Sequence, residues 1–202
     1  MSTSTQQDYF DRLYGDSEDP YLLRTRWYEL RKRTLLLAAL PQARYRSAYE
    51  PGCGNGELSV ALAARCEHLL CSDFSQAAVD AARTRTQALP NVQVARLAQP
   101  DDWPQAQGPF DLIVLSELGY FLEAHAMQAL AERCKASLAP GGTLVACDWR
   151  PDFAERALPT DAVHAALEAL GLPRLLRHEE SDFLLQLWSS DTRSVAQREG
   201  IR

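Results

Sequence analysis

The sequence predicts an α/β protein whose mainly parallel, seven-stranded sheet closes on an antiparallel hairpin. Three observations predict it. Apolar runs of strand length alternate with helical patterns from residue 44 to residue 170, the order that builds a parallel sheet. A glycine turn, Tyr49-Glu50-Pro51-Gly52-Cys53-Gly54-Asn55-Gly56-Glu57, joins the first strand to the helix after it. The last two strands are separated only by Glu180-Ser181-Asp182, too short a link for a parallel crossover.

Taken in order, residues 1–18 are polar with scattered aromatics and are expected to be flexible. Asp19 and Pro20 suit the cap and first position of a helix over 21–40, which Pro41 stops. The first strand covers 44–49. A helix over 57–66 follows, with Leu58, Ala61, Leu62 and Arg65 at helical spacing. The second strand, 68–72, ends at Asp73. Ser75 caps a helix over 76–88, and residues 91–96 alternate as a third strand. Residues 109–116 form a strand dominated by Phe110, Leu112, Ile113, Val114 and Leu115, as in a parallel strand buried on both faces. A helix over 123–138 leads through a turn, Ala139-Pro140-Gly141-Gly142, into a fifth strand over 143–149. Thr160 caps a helix over 161–170, and the hairpin strands are 174–179 and 183–189. Residues 19–190 thus read as one domain, with 19–41 as a helical lid and 191–202 as a polar, frayed tail.

The glycine turn carries the chemistry. Glycine permits positive φ and lets a ligand approach the backbone closely, and the following helix presents free N–H groups. The place three after Gly54 is Glu57, so the register departs from the dinucleotide fingerprint G-x-G-x-x-G. Carboxylates at Glu50 and Glu57 would repel a pyrophosphate, whereas S-adenosylmethionine brings a sulfonium and an ammonium. Glu50-x-Gly52-x-Gly54-x-Gly56 resembles the first motif of the class I methyltransferases, with Cys53 inside it. That family's Rossmann-like fold also ends in an antiparallel hairpin. Asp73, about 17 residues past the last motif glycine, stands where a ribose-binding acid belongs; the competing reading is a helix cap. Phe74 would lie against the adenine or else in the core.

The resemblance implies further roles. Relatives often place an acid after the third strand to receive the adenine amino group. Here Gln99 would accept through its carbonyl oxygen, unless Asp101 or Asp102 serves instead. Ser116 and Glu117 end the fourth strand, where methyl group and acceptor would meet; Ser116 is assigned to the cofactor and Glu117 to the acceptor amine, as its base or its guide. Asp148, Trp149 and Arg150 end the fifth strand and suit a sugar or polar amine. His178, at the hairpin tip, is the one histidine retained as a catalytic candidate; His68, His125 and His164 read as structural or surface residues. Trp27, Tyr28 and Arg31 pair aromatic rings with a fork-shaped cation, apt for the methionine carboxylate.

Residues 19–21, 26–33, 49–53, 111–117 and 148–150 together resemble the nodulation-type (NodS-like) N-methyltransferases, from about Asp19 to Trp188. That family methylates the free amine of a deacetylated chitooligosaccharide, which implies an amino-sugar or chitooligosaccharide-like small molecule as partner here. Another amine or a hydroxyl, an oxidoreductase on a nicotinamide cofactor, and a non-enzymatic module binding S-adenosylmethionine are the alternatives.

Composition narrows the classes further. A net charge of −6 argues against a nucleic-acid surface. The five cysteines stand apart with no C-x-x-C pair, so no metal is expected and reduced thiols in a cytoplasm are. No apolar run nears a membrane span. A monomer or homodimer is expected.

Overall fold

The computed structural model describes the backbone of residues 3–202 and the side chains from residue 7 onward. Its elements are α1 (Thr3–Asp16), α2 (Trp27–Ala39), β1 (Tyr45–Pro51), α3 (Glu57–Ala63), β2 (Cys66–Asp73), α4 (Gln76–Thr86), β3 (Val92–Arg96), β4 (Phe110–Ser116), α5 (Ala124–Ser137), β5 (Leu138–Trp149), α6 (Thr160–Glu168), β6 (Arg174–Glu179), β7 (Phe183–Ser189) and α7 (Val195–Arg198). The sheet order is β3-β2-β1-β4-β5-β7-β6. β7 runs antiparallel to both β5 and β6, and the remaining pairs are parallel. This is the Rossmann-like methyltransferase arrangement that the element order and short hairpin link predict.

The apolar run of β4 over residues 112–115 has a simple cause. Its side chains alternate between faces, and both faces are covered. Leu112 and Val114 join one core with Leu36, Leu62 and Val145. Ile113 and Leu115 join the other with Tyr49, Met127, Leu130 and Trp188. The strand order reverses between β1 and β4, and ligands of open parallel sheets bind at such a switch point, outside the strands' carboxyl ends.

Four local expectations are corrected. The helix expected from residue 21 begins at Trp27, because Leu22 takes φ 56, which a helix cannot contain. Asp19 still caps, but it caps a turn, accepting from Leu23 N–H at 2.8 Å and Arg24 N–H at 3.0 Å. The segment expected to be flexible is helical over Thr3–Asp16 and seats Phe10 in the core; its Met1 and Ser2 lie outside the described residues. The expected turn before the fifth strand is absorbed into β5 as an irregularity, since Phe110 pairs with Leu138 but Leu112 with Thr143. Thr160 is the first residue of α6 and Pro159 is its cap; the Thr160 hydroxyl donates to the Trp149 carbonyl. In the C-terminal segment, Ser194 and Gln197 form a capping box on α7, and Asp191 pairs with Arg193 and Arg198.

Candidate active site

The turn after β1 is built on three glycines of positive φ, Gly52 (72°), Gly54 (53°) and Gly56 (77°), each with its own neighbour. A β-carbon on Gly52 would sit 3.0 Å from Leu118 Cδ1, so the turn lies directly against the segment leaving β4. One on Gly54 would sit 2.5 Å from Tyr14 Oη, and one on Gly56 3.1 Å from the Ala82 Cα of α4. Gly56 is therefore required by helix packing, while Gly54 opens toward α1.

The carboxylate of Asp73 braces this turn. It accepts from Gly54 N–H at 3.0 Å and from Ser75 N–H at 3.0 Å. Burial pushes its pKa up to about 6 despite those donors. Asp73 is thus a brace of the turn and not the helix cap of the competing reading, since Ser75 caps α4 and accepts from Ala78 N–H. Gln99 donates to the Tyr49 hydroxyl at 2.8 Å, and that hydroxyl pairs with the hydroxyl of Ser72 at 2.8 Å. The Gln99 carbonyl oxygen is buried with no hydrogen-bond partner among the described residues, an acceptor awaiting a donor. Cys53 is buried, and burial raises its thiol.

The acids flanking the turn are engaged by the protein itself rather than left to face a ligand. Glu50 is 3% exposed, accepts from the Ser59 hydroxyl at 2.6 Å, and is pushed by burial to about 8. Glu57 is taken by Arg85 at 2.8 Å and Arg33 at 3.3 Å. Neither carboxylate is therefore free to select a cationic ligand, although the glycine register stands.

The element over the turn is α1, which the sequence pattern left unstructured. Phe10 packs edge-on against Phe74 at 5.5 Å and Phe121 at 5.0 Å. Asp11 accepts from the Ser75 hydroxyl at 2.5 Å. Asn55 donates to the Glu18 carbonyl at 3.0 Å and to Asp19 at 3.1 Å, fastening the α1–α2 link to the turn.

Across the switch point, Ser116 ends β4 paired with Cys147, and Glu117 follows at φ 58. Glu117 is a non-glycine residue in the left-handed region, the kind of strain that collects at functional sites. Its Oε1 accepts from Lys32 Nζ at 2.6 Å. Its Oε2 accepts from the Tyr120 hydroxyl and from Trp149 N–H, the latter at 3.0 Å. Lys32 is 7% exposed and also meets Glu29 at 3.0 Å. Burial works against its charge, but Glu117 and Glu29 outweigh it and hold the ammonium above its ordinary pKa. No local pattern marks this lysine, since a lysine among arginines reads as a solvated helix face.

Other expected site residues are placed elsewhere. Asp148 is 1% exposed and bonds His164 Nε2 at 3.1 Å, away from the Trp149 rim; His164 Nδ1 reaches Gln186 at 2.7 Å. His164, read as an ordinary helix residue, is thus a buried bridge between α6, β5 and β7. Arg31 grips Glu180 through two bonds of 2.6 and 2.8 Å. His178 bonds the same carboxylate at 2.7 Å and stacks on Phe183. The fork expected for the cofactor's carboxylate is thus closed by a protein carboxylate. Trp27 is 72% exposed. Tyr28 turns inward, its ring edge-on to Trp149 at 5.6 Å. Among the described residues no cluster of His, Cys, Asp and Glu could hold a metal, and no helix is long and apolar enough to cross a membrane.

Known proteins agree with this geometry. A family model described as "Methyltransferase domain" matches residues 48–142, from the middle of β1 through the irregular start of β5. A Pseudomonas syringae protein assigned as a methyltransferase is 52% identical, covering 81% of this chain and 99% of its own, with a TM-score of 0.72. The chain belongs to the class I S-adenosylmethionine-dependent methyltransferases. S-adenosylmethionine is its cofactor, and the buried Gln99 oxygen and the glycine cradle fit that group. Nodulation protein S of Rhizobium tropici is 30% identical over 131 residues, which are 64% of this chain and 54% of that protein. The same protein of Sinorhizobium fredii is 30% identical over 145 residues. This chain spans 54% and 66% of the length of these two relatives. The N-methyltransferase NodS of Bradyrhizobium japonicum WM9, solved with S-adenosyl-L-homocysteine, shares the fold at a TM-score of 0.77 and 24% identity, covering 91% of this chain and 97% of its own.

Proposed function

We propose that this methyltransferase alkylates an amine of a small, sugar-like acceptor. The observation that carries the reading is Glu117, a carboxylate in strained backbone at the end of β4, one residue from the leucine that touches the cofactor turn. The amine-directed name of the NodS neighbour and the likeness to nodulation proteins support it. On the cofactor side, Asp73 takes the ribose hydroxyls, Gln99 Oε1 takes the adenine amino group, and Phe74 lies against the ring. Gly52 and Gly54 let the backbone on either side of Cys53 face the ligand, Gly56 packs the turn onto α4, and Ser116 borders the ligand. Glu50 acts one layer back, through Ser59.

Bound S-adenosylmethionine supplies an electrophilic methyl group. The protein's task is alignment and proton handling. Glu117 orients the acceptor's ammonium and receives its proton. The freed lone pair then forms the nitrogen–carbon bond as the sulfur–carbon bond breaks and S-adenosylhomocysteine departs. Trp149 walls the acceptor, and Lys32 holds Glu117 in place.

Glu117→Gln tests the assignment. Turnover on glucosamine, with N-acetylglucosamine as the blocked control, is expected to fall by about 100-fold or more. The dissociation constant for S-adenosylhomocysteine, read by calorimetry, stays within about twofold, because Glu117 lies outside the cradle. Turnover close to wild type removes Glu117 from the chemistry. Methylation of glucose but not glucosamine overturns the amine.

A further inference from the structure

The face of α2 that turns toward the end of β4 carries one polar atom with nothing to bond. Tyr28 Oη is buried and has no hydrogen-bond partner among the described residues. Leaving such a group unpaired is costly, so native structures that keep one usually have a use for it. The ring cannot swing out to find water without giving up its packing, because it is edge-on to Trp149 at 5.6 Å and to Phe183 at 6.3 Å. Lys32 Nζ lies over the ring, 5.2 Å from its centroid. Burial raises the phenol above its ordinary pKa, with Lys32 opposing and Glu117 and Glu29 assisting. Tyr28 therefore offers a neutral oxygen within the field of those three charges.

The surroundings specify what would bond that oxygen. Glu117 already accepts three donors, from Lys32, Tyr120 and the Trp149 N–H, and an ionised carboxylate offers about four acceptor sites. Two carboxylates, Glu29 and Glu117, share the single Lys32 ammonium, which leaves the cluster one negative charge in excess. A partner with two or more N–H donors and a positive charge answers both features. An alcohol has one donor hydrogen and could satisfy Glu117 or Tyr28, not both.

We infer that Tyr28 is an acceptor-binding and specificity-determining residue, its hydroxyl oxygen receiving one N–H of the acceptor while Glu117 receives another. This rests on amine methylation as the reaction, and it moves Tyr28 from the cofactor, where the sequence pattern placed it, to the acceptor. It also supplies a physical source of preference for amine over hydroxyl, since a site built to bond two hydrogens rejects a ligand that leaves one of its buried groups unpaired.

Tyr28→Phe removes the oxygen and keeps the ring. Wild type and variant are compared on a panel of primary amines led by glucosamine, with glucose as the matched alcohol, and on S-adenosylhomocysteine binding. The expected result is a KM for the best amine raised about tenfold, equivalent to roughly 1.4 kcal/mol. The turnover number and the S-adenosylhomocysteine affinity change little, and thermal stability is equal or higher. Because the oxygen has no partner among the described residues, its loss leaves the melting temperature equal or higher in either case; an amine KM unchanged by Tyr28→Phe overturns the inference, whether or not cofactor binding weakens. Wild-type protein that methylates no amine refutes the amine reading itself, and this inference with it, before any variant is made.

Discussion

The two halves of the sheet's carboxyl edge are built from different materials. On the cofactor side, the decisive groups are backbone: three left-handed glycines and N–H groups bonded to one carboxylate only 19 residues away. On the acceptor side they are side-chain pairs closed across long stretches of chain, with Lys32 and Glu117 separated by 85 residues and Arg31 and Glu180 by 149. A backbone site is written in local spacing and tolerates change around it. A site of paired charges is written nowhere locally and fails when one partner is lost.

The sharpest break in that comparison is Lys32→Met. It strands Glu29 and Glu117 in a largely dry site, and removing one partner of a buried ion pair costs about 3–5 kcal/mol. Glu117 keeps 27% of its side-chain surface, so the lower figure, about 3 kcal/mol, is expected, or roughly 6–12 °C in melting temperature for a domain of this size. Methyl transfer falls with it, while the glycine turn still binds S-adenosylhomocysteine in protein kept folded in the cold. A melting temperature unchanged by Lys32→Met contradicts the view that the acceptor half stands on this pair.

The same contrast explains what the sequence made legible. Glycine register and strand-end position marked the turn and Asp73, because both are properties of neighbouring residues. Gln99 came from the position where the family pattern places an acid, and its carbonyl oxygen is buried without a hydrogen-bond partner among the described residues. α1 escaped because a polar composition hid one buried aromatic, Phe10. Lys32 escaped because its partners lie on other elements. Asp148 shows an error that period-two alternation could have caught: adjacent side chains on a strand point to opposite faces, so Asp148 and Trp149 cannot both face one rim. The acids of the turn led to the right cofactor by a faulty route, since one is buried near neutrality and the other is held by arginines.

A comparison inside the turn separates ligand from scaffold. Gly54→Ala and Gly56→Ala both place alanine in the left-handed region, at a cost of about 1–2 kcal/mol each. Beyond that, the Gly56 β-carbon meets the backbone of α4, which cannot yield cheaply, whereas the Gly54 β-carbon meets only the tip of Tyr14. Gly56→Ala is expected to give the larger loss of melting temperature. Gly54→Ala is expected to give the larger loss of S-adenosylhomocysteine affinity, about tenfold. The reverse pattern would exchange the roles assigned to the two positions.

The mildest test needs no mutation. Asp73 has its pKa raised to about 6 by burial, and its ionised form is the one able to accept from both ribose hydroxyls. Binding therefore favours loss of the proton. Affinity for S-adenosylhomocysteine should be full above about pH 7 and fall as the pH drops through about 6, approaching tenfold per unit below it. Asp73→Asn, which cannot titrate, should bind weakly and with a flatter profile. A wild-type affinity that stays level from about pH 7 down to about pH 5 means the carboxylate serves the turn alone, through Gly54 and Ser75. The cofactor half would then rest entirely on backbone, and its contrast with the acceptor half would widen.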